Sequence, residues 1–227
     1  MASQHSKLWH LEQINLFKDL SEKEMEILDE KTVMKSAAKN DYVYFPQEPS
    51  KILFFLKKGR IKIGTYSSDG KEIIKKILYP GEVFGEMGIV GEDTRKDFAM
   101  ALDDDTRMCT LSIDEFKEMM DSNSRLSMEV TKQIGERLRS VERRLESLIF
   151  KDARERIIDF MIEMAQNYGK KIGFETLVKH DLTHQDIANL TATSRQTVTT
   201  VLNDLKDKDL IYMERKRFLI RDIEQLQ

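Results

Sequence analysis

Short apolar runs separated by glycine characterise the first half of the chain. Each run has the length of a strand and is rich in Ile, Val, Phe and Tyr, which favour β-sheets. Seven of the ten glycines lie within residues 59–91. Regular short strands with frequent turns predict a small antiparallel barrel or roll. The predicted strands are Tyr42–Phe45, Ile52–Leu56, Arg60–Tyr66, Glu72–Leu78, Phe98–Leu102 and Arg107–Leu111.

Capped helices flank these strands. Ser21–Glu24 and Ser112–Glu115 match the capping-box pattern, in which a serine side chain caps the first helical turn and a glutamate bonds back. Apolar residues at helical spacing follow each box. The sequence therefore predicts one helix before the strands and one after them. Further along, Gly169 is predicted to end another helix as a left-handed cap.

A narrow apolar stripe begins after the second of these helices. Its members are spaced by four, four, four, three, four and three residues, and charged residues lie densely on both sides. This pattern predicts a long helix that pairs with its copy in a parallel homodimer. The alternative is that the stripe packs against the strands of its own chain. The predicted interface residues are Leu126, Val130, Ile134, Leu138, Val141, Leu145 and Leu148.

The chain after Phe150 contains a pattern typical of a helix-turn-helix. Thr183 and Asp186 form a T-x-x-D cap that starts a short helix. After a tight connection, Ser194 caps a second helix predicted over residues 195–206. Two short helices with a turn of this length place the second helix in the DNA major groove. The predicted buried face of the second helix is Val198, Val201, Leu202 and Leu205.

The opposite face of the second helix carries the chemistry of base recognition. Arg195 can bond guanine bidentately, and Gln196 can do the same for adenine. Two apolar segments follow, and the basic turn between them predicts a wing. The alternative is a plain three-helix unit whose charged turn is only solvated. The candidate DNA contacts are Thr183, Ser194, Arg195, Gln196, Thr197, Thr199, Thr200, Asn203, Arg215, Lys216 and Arg217.

Composition narrows the function classes. The 227 residues carry 37 Lys and Arg against 40 Asp and Glu, so bulk charge gives no attraction to nucleic acid or to an anionic membrane. The single cysteine, Cys109, excludes an internal disulfide and an iron–sulfur cluster. We expect a cytoplasmic protein without membrane contact, since no run is apolar over the ~20 residues of a spanning helix. No catalytic motif such as G-x-S-x-G or a Walker loop occurs, so we do not expect an enzyme.

The chain resembles the Crp/Fnr family of bacterial transcription regulators over nearly its whole length. The resemblance rests on 80–88 in the roll, on 182–188, and on 194–198, where S-R-x-T-V opens the recognition helix. It implies that the roll senses an effector, that the long helix dimerises, and that a hinge near 150–152 passes the change to the DNA domains. It also implies a palindromic operator and RNA polymerase as partners.

The resemblance further implies an effector pocket that departs from the cyclic AMP pattern. The chain keeps Arg95 and a turn with Gly85, Glu86 and Gly88, called here the glycine turn, but Lys96 replaces the serine expected beside the phosphate. Arg95 is expected to pair with Glu86, and Lys96 with Asp97, so that the pocket needs no ligand. We therefore do not expect cyclic AMP as a ligand. The pocket residues are Gly85, Glu86, Met87, Gly88, Arg95, Lys96, Val141 and Glu142.

Metals and haem are not expected as cofactors. None of the four histidines falls within the roll, where a haem ligand would be needed, and His180 and His184 straddle a predicted helix start.

We predict an α+β protein with an antiparallel jelly-roll-like domain (1–111), a helix pair that includes the dimerisation helix (112–150) and a winged helix-turn-helix (151–227). Two alternative functions remain: a regulator that still binds cyclic AMP or another nucleotide, and a small-molecule-binding module whose helix-turn-helix contacts protein.

Overall fold

A computed structural model describes residues 4–12, 14–70, 72–180, 182–214 and 216–226. The chain divides into two compact units, residues 1–138 and residues 139–227. The boundary lies within one long helix, α4 (Ser124–Phe150).

The first unit is built on two four-stranded antiparallel sheets in the described residues. One sheet has the order β1-β8-β3-β6 and the other β2-β7-β4-β5. This order is that of a jelly roll, which confirms the predicted fold class. The strands are β1 (Val33–Ala37), β2 (Tyr42–Tyr44), β3 (Ile52–Lys58), β4 (Ile61–Tyr66), β5 (Glu72–Leu78), β6 (Val83–Phe84), β7 (Phe98–Ala101) and β8 (Thr106–Ser112).

Strand β3 explains why the chain contains an uninterrupted apolar run. Its side chains alternate, so that Phe54 and Leu56 pack between the two sheets while Leu53 and Phe55 face a second core. Helices build that second core over the outer face of the sheet: α1 (Gln4–Glu12), α2 (Glu22–Lys31) and α3 (Ile113–Ser122). A strand buried on both faces must be apolar at every position.

The helix starts match the predicted caps. The Ser21 hydroxyl accepts from the backbone of Glu24 and the Glu24 carboxylate accepts from the backbone of Ser21, which completes the capping box. The Ser112 hydroxyl accepts from the backbone N–H of Glu115 at 3.2 Å and starts α3. Both helices therefore begin where the local sequence predicts.

The apolar stripe of α4 changes role along its length. Leu126 and Val130 are buried in the helical core of the first unit, where they pack with Phe17 and Phe116. They are therefore not available to a partner helix, which corrects the prediction that the whole stripe forms a dimer interface. For these two residues the alternative of packing within the chain holds. The later members are large exposed hydrophobic residues: Ile134, Leu138, Val141, Leu145 and Leu148.

Besides the later part of α4, the second unit contains three α-helices and a four-stranded sheet among its described residues. The helices are α5 (Ala153–Tyr168), α6 (His184–Leu190) and α7 (Arg195–Asp207). The sheet has the order β11-β12-β10-β9, with β9 (Lys170–Ile172), β10 (Glu175–Lys179), β11 (Ile211–Glu214) and β12 (Arg217–Ile220). Strands β11 and β12 are the two predicted strands of the wing.

Gly169 follows α5 in an unexpected conformation. Its φ of −74° and ψ of 143° are extended, so the predicted left-handed cap is wrong. Glycine is needed here for space, because a Cβ would lie 2.2 Å from the carbonyl oxygen of Ala165 and 2.5 Å from the methyl group of Thr176. The chain therefore turns directly into β9 against the end of its own helix.

Candidate DNA interface and effector pocket

Helix α6 begins at the predicted T-x-x-D cap. The Thr183 hydroxyl accepts from the backbone N–H of Asp186 at 3.1 Å, and the Asp186 carboxylate accepts from the backbone N–H of Thr183 at 2.8 Å. This reciprocal pair satisfies donors that a helix start leaves open. The hydroxyl of Thr183 also donates to Asp186. In this structure the side chain of Thr183 therefore orders the helix start.

Helix α7 presents the predicted polar face to the exterior. The Ser194 hydroxyl accepts from the backbone N–H of Thr197 at 3.0 Å and begins the helix. The predicted apolar face is buried beneath it: Val198, Val201, Leu202 and Leu205. The side chains exposed on the other face are Arg195, Gln196, Thr200 and Asn203.

Two hydroxyl groups of the predicted DNA face already have partners. Thr199 is half-buried, lies 2.9 Å from Nδ1 of His184, and donates to the backbone carbonyl of Arg195. The hydroxyl of Thr197 lies 2.8 Å from that of Ser194. These contacts hold α7 against α6 and fix its first turn, so these hydroxyl groups also serve the local structure.

The wing places basic residues at the turn between β11 and β12. Lys216 stands at this turn with a φ of +68°, and its carbonyl accepts from the backbone of His180 at 2.8 Å. Arg217 donates through Nε to the Glu214 carboxylate at 2.6 Å, and this hydrogen bond is the leading cause of the lowered pKa of Glu214. The charge of Arg217 is thus shared with an acid. Arg215, the remaining predicted contact, lies outside the described residues.

Arg95 is the buried cation of the predicted effector pocket. Its guanidinium donates to the carbonyl of Gly85 at 2.8 Å and to that of Ile52 at 2.5 Å, and it lies 4.5 Å from the ring centre of Tyr44. Only 5% of Arg95 is exposed, and burial lowers the pKa of the guanidinium. Gly85 has a φ of +78°, which turns the chain so that its carbonyl meets this cation.

The predicted ion pairs of the pocket are wrong. Lys96 extends outward and pairs with Glu92 at 2.8 Å, while Asp97 accepts from Lys75 at 3.0 Å. Asp97 also accepts from the Tyr44 hydroxyl at 3.2 Å, and burial followed by the Asp97 charge raises the pKa of that hydroxyl group. The expected pairs fail because Arg95 points inward to carbonyl groups and Lys96 points to solvent.

Glu86 forms its ion pair with a residue that the sequence did not single out. Its carboxylate contacts the guanidinium of Arg137 on α4, within the first unit. Arg137 lies four residues before Val141, on the charged flank of the stripe. This position is the sequence feature from which Arg137 could have been identified. The pair joins the glycine turn, which includes half-exposed Met87 and buried Gly88, to the long helix. Val141 and Glu142 are exposed on α4 in the second unit.

The described residues offer neither a metal-ligating cluster nor a spanning helix. Among the described residues, no group of three or more His, Cys, Asp or Glu side chains could hold a metal ion. Of the helices in the same residues, none has the length and apolar character needed to cross a bilayer.

The two units resemble two known protein families in turn. Residues 34–123 match the model of the cyclic nucleotide-binding domain, and residues 155–227 match that of the Crp-like helix-turn-helix domain. The "CRP-like cAMP-activated global transcriptional regulator" of Mycobacterium tuberculosis is 31% identical over 184 residues, which cover 81% of this chain and 82% of that protein. The chain belongs to the Crp/Fnr family. This Crp/Fnr protein is a transcription regulator with a DNA-binding helix-turn-helix, not an enzyme.

Other similar proteins share less of their sequence with this chain. The "Anaerobic regulatory protein" of Bacillus subtilis is 23% identical over 189 residues, which cover 83% of this regulator and 79% of that protein. The structure of FixK2 from Bradyrhizobium japonicum has a TM-score of 0.76 at 19% identity, covering 86% of this chain and 95% of that chain. A CooA mutant from Carboxydothermus hydrogenoformans has a TM-score of 0.74 at 24% identity, with 87% of each chain covered. The two structures establish a likeness of fold.

Proposed function

We propose that this Crp/Fnr regulator binds a palindromic DNA operator as a homodimer. The observation that carries the proposal is the exposed polar face of α7, which offers Arg195 and Gln196 at the start of a capped helix. The exposed later part of the α4 stripe supports a parallel pairing of two such helices. Each copy then contributes one α7, so the half-sites are expected about one helical turn, or roughly 34 Å, apart.

Three successive segments of the chain have different roles in this proposal. The roll within residues 1–111 is the sensing part, residues 112–150 supply the dimer helix, and residues 151–227 carry the DNA-binding part. RNA polymerase is a further partner that we propose from the family likeness. The balanced charge of residues 150–227, with 13 Lys and Arg against 13 Asp and Glu, favours base recognition over bulk attraction to phosphate.

Selection of operators from a random duplex pool tests this proposal. The purified protein is expected to enrich a two-fold symmetric sequence, and the enriched duplex is expected to carry one dimer. A pool without any enriched sequence at physiological salt would instead favour the alternative, in which the helix-turn-helix contacts only protein. A single half-site bound by a monomer would contradict the homodimer.

We propose that the effector pocket does not bind cyclic AMP. Its buried cation, Arg95, is bonded to two carbonyls, Lys96 turns outward, and Glu86 is paired with Arg137. An entering phosphate would have to replace the hydrogen bonds of Arg95, and a ribose hydroxyl would have to displace Arg137. Val141 and Glu142 lack the hydroxyl groups that the family likeness leads one to expect for base contact.

Calorimetric titration with cyclic AMP is expected to give no heat of binding. The retained Gly85–Gly88 turn and the name of the mycobacterial relative favour the competing function, a regulator that still responds to cyclic AMP. Binding at micromolar concentration would establish that competing function. The selected operator serves as a positive control, because its binding heat shows that the same preparation is active.

A further inference from the structure

Three consecutive carbonyl groups at the end of α6 are held by arginine side chains from two other helices. Arg144 of α4 donates to the carbonyl of Leu190 at 2.9 Å. Arg156 of α5 donates to the carbonyl of Thr191 at 2.9 Å and to that of Ala192 at 3.2 Å. The last carbonyl groups of a helix lack hydrogen-bond partners within the helix and lie at the negative end of the helix dipole. Cations near them therefore stabilise the helix.

The held segment is the turn of the helix-turn-helix. Ala192 has a φ of +51°, a left-handed conformation that is sterically unfavourable for a residue with a Cβ atom. Only Thr193 and Ser194 separate it from the first residue of α7. The direction in which α7 leaves this turn therefore depends on contacts that keep the turn in its strained form, and the arginine side chains provide three of them.

The two arginine residues connect the turn to different elements. Arg156 also donates to the carbonyl of Lys151 at 2.7 Å, which ties the turn to the start of α5. Arg144 comes from the second half of α4 and lies next to Leu145 of the exposed stripe. The contact of Arg144 thus joins the helix proposed to pair the subunits to the turn that directs the recognition helix.

We propose that Arg144 is a positioning residue for DNA recognition. It contacts the turn and not the DNA, and it sets the direction of α7 relative to the pairing helix. This inference rests on the proposed function, because spacing between two recognition helices matters only in a dimer on a two-part operator. The sequence predicted neither Arg144 nor Arg156, since both lie on charged helix surfaces outside the helix-turn-helix.

Arg143 supplies a matched control. It is the preceding residue on α4, it is exposed, and its side chain forms no hydrogen bond or ion pair with the described residues. Arg144→Ala and Arg143→Ala remove the same charge and the same side-chain atoms from the same turn of the helix. Arg144→Lys keeps one donor for the carbonyl of Leu190, so it is expected to restore part of the function.

The test compares duplexes that carry the selected half-sites at the natural spacing or at a spacing changed by one base pair. Fluorescence anisotropy is expected to show about tenfold weaker binding of Arg144→Ala to the natural operator, the loss of one charged hydrogen bond. Its preference for the natural spacing is expected to shrink, while binding to a scrambled duplex and the dimer seen by sedimentation stay unchanged. Arg143→Ala is expected to match the wild type.

Three results would overturn the inference. Equal operator binding and spacing preference in Arg144→Ala and wild type would remove any positioning role. An equal loss on operator and scrambled duplex, with a reduced salt dependence, would show a phosphate contact. A loss of the same size in Arg143→Ala would reduce the effect to net charge. By contrast, a wild-type protein that selects no operator would reject the proposed function itself.

Discussion

Replacing Leu145 with glutamate is expected to separate the dimer into monomers and to weaken operator binding by about 100-fold or more. Leu145 lies in the exposed part of the stripe, where spacings of four and three residues alternate from Ile134 to Leu148. In a parallel pair each residue of such a seam lies close to its own copy. Two carboxylates would then face each other where apolar contact is needed, and burial of unpaired charge is costly.

The loss of DNA binding follows from the loss of the second half-site. A dimer binds its second half-site as an intramolecular event, which multiplies affinity without any new contact. Sedimentation velocity and anisotropy measure the two consequences separately. Arg139→Glu is the control, since it introduces the same acid at an exposed position of α4 outside the stripe. A Leu145→Glu protein that sediments as a dimer would contradict the proposed seam.

Replacing Arg195 with alanine is expected to cost about 1–3 kcal/mol of operator binding, or roughly tenfold to 100-fold in affinity. Arg195 is exposed at the first position of α7, and its backbone carbonyl accepts from Thr199. Its five-donor guanidinium can bond two acceptors of one guanine. The loss should therefore be confined to operators that carry guanine at one position of the half-site.

Arg195→Lys separates base recognition from charge. Lysine keeps the charge but loses the planar fork, so it is expected to lose most of the discrimination and little of the non-specific binding. Anisotropy on four operators that differ only at the contacted base pair measures both quantities. If Arg195→Ala instead weakens binding to all four operators equally, Arg195 contacts phosphate and another residue of α7 reads the base.

The helix-turn-helix was predictable because its signals are local. Thr183 with Asp186, and Ser194 with Thr197, are caps made by residues a single turn apart, and the buried face of α7 follows from helical spacing. The predicted strand β5 agrees with the structure at both ends for the same reason, since its apolar run ends at turn residues.

Two mostly exposed strands escaped prediction. Strand β1 is mostly exposed and is held by pairing its backbone with β8, more than 60 residues away in the chain. Strand β9 is a short exposed edge strand with two lysines. Backbone pairing leaves no trace in the order of side chains, so a pattern of apolar and polar residues cannot reveal such strands.

The pocket residues show the same limit at the level of single contacts. The sequence predicted that Arg95 and Glu86 belong to one site, and the structure places both at the glycine turn. Their actual partners are the carbonyls of Gly85 and Ile52 for one and Arg137 for the other. Charge complementarity alone allows many pairings among neighbouring ions, and only the direction of each side chain selects one.

Local sequence accounts for the elements whose causes lie within a few turns of chain: the N-terminal caps of the helices, the faces of α7, the strand runs and the helical stripe. Tertiary structure decided how far that stripe remains exposed, because only the folded core shows that Leu126 and Val130 are covered while Val141 is 60% exposed. It also decided which cations meet which carbonyls, as Arg95 and Arg144 show. Local periodicity dictates which side of a helix is apolar, whereas the object against which that side packs depends on residues far away in the chain.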